Sequence, residues 1–177
     1  MPGGSAAAAK PLKSALPDDD SIDLALIELL FFAYRDFTSD PDKILAEYGF
    51  GRAHHRVLHF VNRAPGLTIA ELLDVLKITK QSLGRVLKQL IDTAHIVQVQ
   101  GPRDRRQREL YPTAKGRALA LALALPQSRR IKAALNGIGD ADRQAVKDFL
   151  KAMVNPELRG QIDRLPGRMA GAAHGED

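Results

Sequence analysis

The 177-residue chain has no cysteine. That excludes disulfides, zinc–thiolate sites and thiol redox sensing together. No apolar run approaches the ~18–20 residues of a membrane span. The short alanine run Ala6 to Ala9 is not long enough for a signal-peptide core, and no credible cleavage pattern follows it. The expected location is the cytoplasm. Signatures of catalysis are also missing: there is no nucleophile elbow, no HExxH and no P-loop. Gly49-Phe50-Gly51 follows a helical pattern instead of a strand, so it is no phosphate loop. No enzyme and no cofactor are expected. Aromatic side chains are scarce at 5%. The recognition-type helix and the basic hairpin hold none except Tyr111, at a strand's end, whereas binding of single-stranded RNA favours aromatic platforms. No internal repeat is visible.

What is present is an ordinary globular composition, 45% hydrophobic, and a length that fits one domain with a real core. Charge is distributed unevenly. Between residues 77 and 108, eight cations (Lys77, Lys80, Arg85, Lys88, Arg103, Arg105, Arg106 and Arg108) face only Asp92 and Asp104, a net +6. The whole chain carries +5, so everything else sums to −1. Basicity confined to one segment is a binding footprint more than a solubility feature.

That segment lies within the stretch Leu67–Thr113, around which the chain is organised. Thr68 and Glu71 form a capping box, and Leu67 with Leu72 a hydrophobic staple. Ile69, Leu72, Leu73 and Leu76 then recur at helical spacing. Lys77-Ile78 turns, and Thr79 caps a second helix, about Lys80 to Thr93. Leu83, Val86, Leu87, Leu90 and Ile91 make its buried stripe. Gln81, Arg85 and Lys88 point the other way, with Gly84 adding no bulk beside them. This pattern predicts a helix-turn-helix whose second helix enters the major groove. Arg85 suits guanine and Gln81 suits adenine. Any surface helix can carry such residues, so the next segment matters. Ile96 to Gln100 alternates like a half-buried strand. Gly101-Pro102 breaks it, Arg103-Asp104-Arg105-Arg106-Gln107-Arg108 follows, and Leu110 and Pro112 share a face of a return strand. Four arginines on a hairpin tip need an anionic partner, which minor-groove phosphates supply.

Residues 67–116 resemble the winged-helix core of the MarR family of bacterial transcription regulators. The resemblance rests on Gly66-Leu67-Thr68, on Thr79-Lys80-Gln81-Ser82, and on Pro102-Arg103-Asp104-Arg105-Arg106 with Thr113 and Gly116 at family spacing. It extends more weakly over about residues 20–155. Gly101 departs from the family pattern, in which an acidic residue often precedes the wing proline. The resemblance implies that Asp104 braces the wing and Arg106 reaches the minor groove. It also implies dimerisation through terminal helices and a small aromatic or phenolic acid as ligand.

The resulting expectation is a mostly α fold with a small β-hairpin wing. Residues 1–20 read as a flexible arm, and residues 21–160 as one domain. Within it, 64–113 form the winged helix-turn-helix, and 21–63 and 114–160 the support and dimerisation helices. Residues 161–177 read as a tail. Helix 21–37 is apolar nearly all the way round, as a helix buried between two neighbours should be. Asp40-Pro41 is expected to start a separate short helix ending near Gly49. Arg52 to Arg63 follows, with Val57, Leu58, Phe60 and Val61 as core. Pro126 should kink or interrupt the helix that begins after Thr113. A further helix capped by Asp140, with Ala145, Phe149, Ala152 and Met153 as its apolar side, ends at Asn155-Pro156.

Together these point to a cytoplasmic, nucleoid-associated homodimer that binds double-stranded DNA at a pseudo-palindromic operator. Gln81, Ser82 and Arg85 are the expected base readers, and Lys80 and Lys88 the phosphate holders. Arg103, Arg105 and Arg106 work at the minor groove. Two alternatives stay open, a winged-helix protein-interaction module and a metal-responsive regulator. The latter rests on His54, His55 and His59, of which His55 and His59 share a helical face. No Cys, Asp or Glu lies nearby in sequence to complete a metal site, so interfacial polar histidines are the simpler reading.

Overall fold

The computed structural model describes residues 22–101 and 107–163. The arm expected at 1–20 and residues 164–177 of the expected tail lie outside the described residues. The elements run α1 (Leu24–Glu47), α2 (Arg52–Arg63), β1 (Leu67–Thr68), α3 (Ile69–Leu76), α4 (Lys80–Asp92), β2 (Ile96–Gln100), β3 (Arg108–Pro112), α5 (Ala114–Ala134), α6 (Asp140–Met153) and α7 (Pro156–Asp163). The chain divides into two compact units at Arg35 and Asp36.

In the first unit, Leu24, Leu26, Ile27, Leu29, Leu30, Phe31, Phe32 and Tyr34 are all exposed, Phe31 most of all at 70%. The sequence predicts a helix buried on several sides; within the chain itself it is not. Arg35 stacks its guanidinium 5.0 Å above the Phe32 ring.

The second unit holds the core. The capping box at α3 forms as expected: the Thr68 N–H donates to Glu71 Oε2 at 2.8 Å, and the Glu71 N–H donates to Thr68 Oγ1 at 3.3 Å. Thr79 caps α4 by accepting the Ser82 N–H at 3.2 Å. Leu83, Val86, Leu87 and Leu90 are buried, with Ile91 packed at the margin. From α2, Val57, Leu58 and Val61 are buried and Phe60 is partly so. Leu45 near the end of α1, Phe50, Leu72 and Leu76 of α3, Ile96 and Leu110 of the sheet, and Leu119, Ala120 and Leu123 of α5 complete this core. The hairpin β2–β3 pairs Ile96 with Pro112 through Gln100 with Arg108. A third strand joins it: β1 pairs antiparallel with β3, Leu67 opposite Leu110, giving the order β1-β3-β2. Two residues are too short a run to show a strand's alternation, so this strand is not visible in the sequence pattern.

Three expectations need correction. Asp40-Pro41 does not start a new helix, because α1 runs through Pro41. Proline lacks the N–H that would meet the Phe37 carbonyl one turn back, and Gln127 Nε2 donates to that oxygen instead at 3.3 Å. Arg130 also reaches back to Asp40, 2.9 Å away, and its hydrogen bond holds the Asp40 carboxyl below the usual carboxylate range. Pro126 likewise does not interrupt its helix, since α5 runs on through it. Asn155-Pro156 does follow the end of α6 at Met153 as expected, and Pro156 is in turn the first residue of a further helix, α7, a position whose N–H has no helical partner anyway. Finally, Gly139 and not Asp140 occupies the cap position of α6, and that helix buries none of its residues in the chain.

Candidate nucleic-acid interface

Helix α4 owes its position to its own amphipathicity. Its apolar stripe sinks one side into the core, which leaves Lys80, Gln81, Ser82, Arg85 and Lys88 exposed on the outside. Among the described residues, Lys80, Gln81 and Arg85 have no side-chain partner. Ser82 accepts from the Thr79 hydroxyl at 3.0 Å, so its own hydroxyl proton remains to be donated. Lys88 pairs with Asp92 one turn on, both side chains more than half exposed. The helix enters this arrangement from Lys77, a non-glycine residue in left-handed conformation at φ 49°, and leaves it at Ala94, φ 56°.

The wing stem stands beside this face. The Gly101 N–H donates to the Gln107 carbonyl at 3.0 Å, which closes the hairpin below its tip. The tip itself, including Arg103, Asp104, Arg105 and Arg106, lies outside the described residues. Arg108 is exposed at the end of β3. Tyr111 donates its hydroxyl to Glu109 at 2.7 Å, a bond that pushes the phenol's pKa up. Val97 and Val99 are nearly half exposed, so the outer face of β2 is not covered as the alternation predicts.

Two open clefts flank α4. One, of about 380 Å³, is lined by Thr68, Ile69, Ala70 and Leu73 of the α3 end, Lys80 of α4, and Gln107 and Arg108 of the wing stem. The other, about 320 Å³, lies along Gly84, Leu87, Lys88 and Ile91 and reaches Gln98 of β2. Thus Lys80 of α4 and Arg108 of the wing stem line one cleft. The charge count of residues 77–108 includes Arg108, but only the fold places it opposite Lys80.

The three histidines of α2 separate. His54 turns toward α4, where Nε2 lies 2.8 Å from Gln89 Oε1. His55 and His59 remain a half-buried pair on one face. Burial lowers the pKa of both, that of His59 to about 4. Among the described residues, no group of three or more His, Asp or Glu is placed to hold a metal ion. A fourth histidine, His95, had no sequence signal. It is buried just past α4, its Nδ1 lies 2.9 Å from Thr93 Oγ1, and burial lowers its pKa.

Comparison with known proteins gives concordant results. The MarR family pattern matches residues 48–107. The HTH-type transcriptional regulator PetP of Rhodobacter capsulatus is 47% identical over 139 residues, covering 78% of this chain and 84% of that protein. A MarR protein from Peptoclostridium difficile DA00132 has a similar fold, with a TM-score of 0.64 at 19% identity over 84% of this chain and 97% of its own. Streptococcus pneumoniae FabT, solved in complex with DNA, also reaches 0.64, at 16% identity over 78% of this chain and 96% of its own. Among the described residues, no helix is long and apolar enough to cross a membrane.

Proposed function

The chain belongs to the MarR family of transcription regulators, which are DNA-binding proteins and not enzymes, and we propose that it binds a pseudo-palindromic operator as a homodimer. The observation that carries this reading is the outer face of α4. Gln81, Arg85 and Lys88 are exposed opposite a buried stripe, beside a wing stem ending in Arg108. FabT was solved with DNA bound, and its fold is shared here.

In this reading Gln81, Ser82 and Arg85 face base edges, because a helix in the major groove meets a distinct donor and acceptor pattern at each pair. Lys80 and Lys88 take phosphates. The Lys88–Asp92 pair does not oppose this, since an exposed i,i+4 pair is worth about 0.3–0.5 kcal/mol. Arg103, Arg105 and Arg106 engage the minor groove, with Asp104 bracing the turn. Between a major and a minor groove runs one phosphate strand, and the cleft between α4 and the wing faces it. Arg108 therefore joins Lys80 in holding phosphates.

Dimerisation follows from exposed apolar surface. Soluble monomers rarely leave large apolar surfaces uncovered, yet Leu29, Phe31 and Phe32 in α1 and, separately, Phe149, Leu150 and Met153 in α6 are each half exposed or more. A twofold partner would cover them and set two α4 helices about one DNA turn apart. A small aromatic or phenolic acid is the proposed effector, bound between the dimer helices and the winged helix-turn-helix. The proposed location is the cytoplasm, on the nucleoid.

The experiment is selection of genomic fragments by the pure protein, followed by a salt titration on the recovered site and on a scrambled duplex. A twofold-symmetric site, tighter than the scrambled control and weakened by salt, supports the proposal. Salt-insensitive or absent DNA binding favours the protein-interaction module instead. Light scattering at micromolar concentration should give a dimer mass, and a monomer mass there overturns the dimer.

A further inference from the structure

The two flanks of α4 are held very differently. At 3.6 residues per turn, Gln89 lies about 40° round the helix from Arg85, on the flank that faces α2. Gly84 and Ile91 lie on the opposite flank, along the open cleft toward Gln98. A β-carbon added at Gly84 would meet no atom within 4 Å. Packing on that side does little to stop α4 from rolling toward the cleft.

The α2 side carries a directed set of bonds. The Gly51 N–H donates to His54 Nδ1 at 3.1 Å. That nitrogen therefore bears no proton, and the proton of the neutral ring sits on Nε2. Nε2–H can then donate to Gln89 Oε1, 2.8 Å away. This leaves the Gln89 amide nitrogen to point at the Gly49 carbonyl, at a longer 3.4 Å. The three bonds agree on one tautomer and one amide orientation. Phe50 lies flat on the His54 ring, centroids 4.7 Å apart and planes 6° from parallel. The edge of His95, just beyond α4, meets the same Phe50 at 5.2 Å. The α1–α2 turn, the start of α2 and the last turn of α4 thus share one assembly of fixed geometry. None of these groups belongs to the expected DNA-contacting set.

We propose that His54 and Gln89 form a positioning lock that fixes the roll of the recognition helix, so that Arg85, one turn from Gln89, meets its base at the correct angle. The proposal rests on the DNA-reading role of α4 argued above. A misplaced helix still presents its cations to phosphates, which tolerate small shifts, but loses the bidentate geometry that base edges demand. The lock should therefore contribute to discrimination and not to general affinity. His54 and Gln89 are positioning residues.

The test uses the full chain with His54→Phe, which preserves the stack on Phe50 but removes both ring hydrogen bonds, with Gln89→Leu, and with the double variant. Affinity is measured on the selected operator and on a scrambled duplex, and the unfolding midpoint is recorded for each protein. The expected result is a loss of roughly tenfold, about 1.4 kcal/mol, on the operator for each single variant, from misalignment of the base contacts. Scrambled-duplex affinity and salt slope should not change, and the double variant should be no worse than either single. Equal losses on both duplexes, additive losses in the double variant, or no loss would each overturn the lock. A variant that unfolds is replaced by His54→Gln or Gln89→Met, judged by the same criteria. If the wild-type chain itself fails to distinguish the two duplexes, the DNA-reading role falls and the lock with it. Failure of the variants alone, with the wild type discriminating, overturns only the lock.

Discussion

Gly116, in the first turn of α5, lies against the backbone of His95 so closely that a β-carbon there would sit 1.9 Å from the His95 carbonyl oxygen. That oxygen is fixed, because it accepts the Thr113 N–H at 3.1 Å. Replacing an exposed helical glycine by alanine ordinarily gains up to about 1 kcal/mol from propensity. Gly116→Ala should do the opposite and lose about 2 kcal/mol or more, on the order of other overpacked sites. Gly84→Ala, where the added carbon meets nothing, should show the ordinary gain. Chemical denaturation of the two variants decides it; equal signs would refute the close approach.

Much of this architecture was legible because it rests on local chemistry. The Thr68–Glu71 box, the Thr79 cap and the buried stripe of α4 each follow from residues within a few turns of one another, and all form as expected. The bounds of α2 and β2 match as well. The misses share a different cause. Pro41 reads as a helix start, and nothing near it reveals that Gln127 supplies a donor to the Phe37 carbonyl it leaves unmet. The strand β1 exists only because β3 pairs with it. The His54–Gln89 bond spans 35 residues, and no periodicity encodes it. Arg108 was counted among the cations, but its place opposite Lys80 depends on how the hairpin packs. As for the apolar surface of α1, the sequence marks it as unusual, but no local pattern says what covers it.

His59 makes stability depend on pH. Burial pulls its pKa from the ordinary 6.5 to about 4, with His55 and Arg63 adding to the effect. The unfolded ring takes up a proton near pH 6.5 and the folded ring does not, so the stability present above pH 6.5 is lost as pH falls toward 4. The full shift corresponds to about 3 kcal/mol, which the ring's partial exposure reduces. His55 is shifted in the same direction, also chiefly by burial. In His59→Phe the decline in unfolding free energy between about pH 7 and 5 should be shallower than in the wild type. An unchanged slope would mean that His59 titrates normally.

Zinc should have no effect on DNA binding. His55 and His59 stand at i,i+4 and could offer two imidazoles, but zinc sites draw on three or four protein ligands, and none completes the pair among the described residues. Operator affinity is expected to be the same with added zinc and with chelator. A tenfold change on adding zinc, abolished by His55→Ala, would establish the pair as a metal site and the protein as a metal-responsive regulator.

The two basic elements should divide their work, and salt dependence separates them. Arg85 projects from the middle of α4, where a guanidinium can meet the acceptor pair of a guanine. Arg106 and Arg108 belong to the wing, where the groove code is degenerate and phosphates dominate. Arg85→Ala should therefore lose about 1–3 kcal/mol on the operator and little on scrambled DNA. Arg106→Ala and Arg108→Ala should weaken both duplexes. Each should also flatten the plot of log affinity against log salt by about one unit per phosphate left unneutralised. Lys80→Ala should behave like Arg108→Ala, because both residues line the cleft between helix and wing. If Arg85→Ala weakened both duplexes equally while the wing variants affected only the operator, reader and anchor would be reversed. The wing would then carry the specificity, and α4 would serve chiefly to hold the backbone.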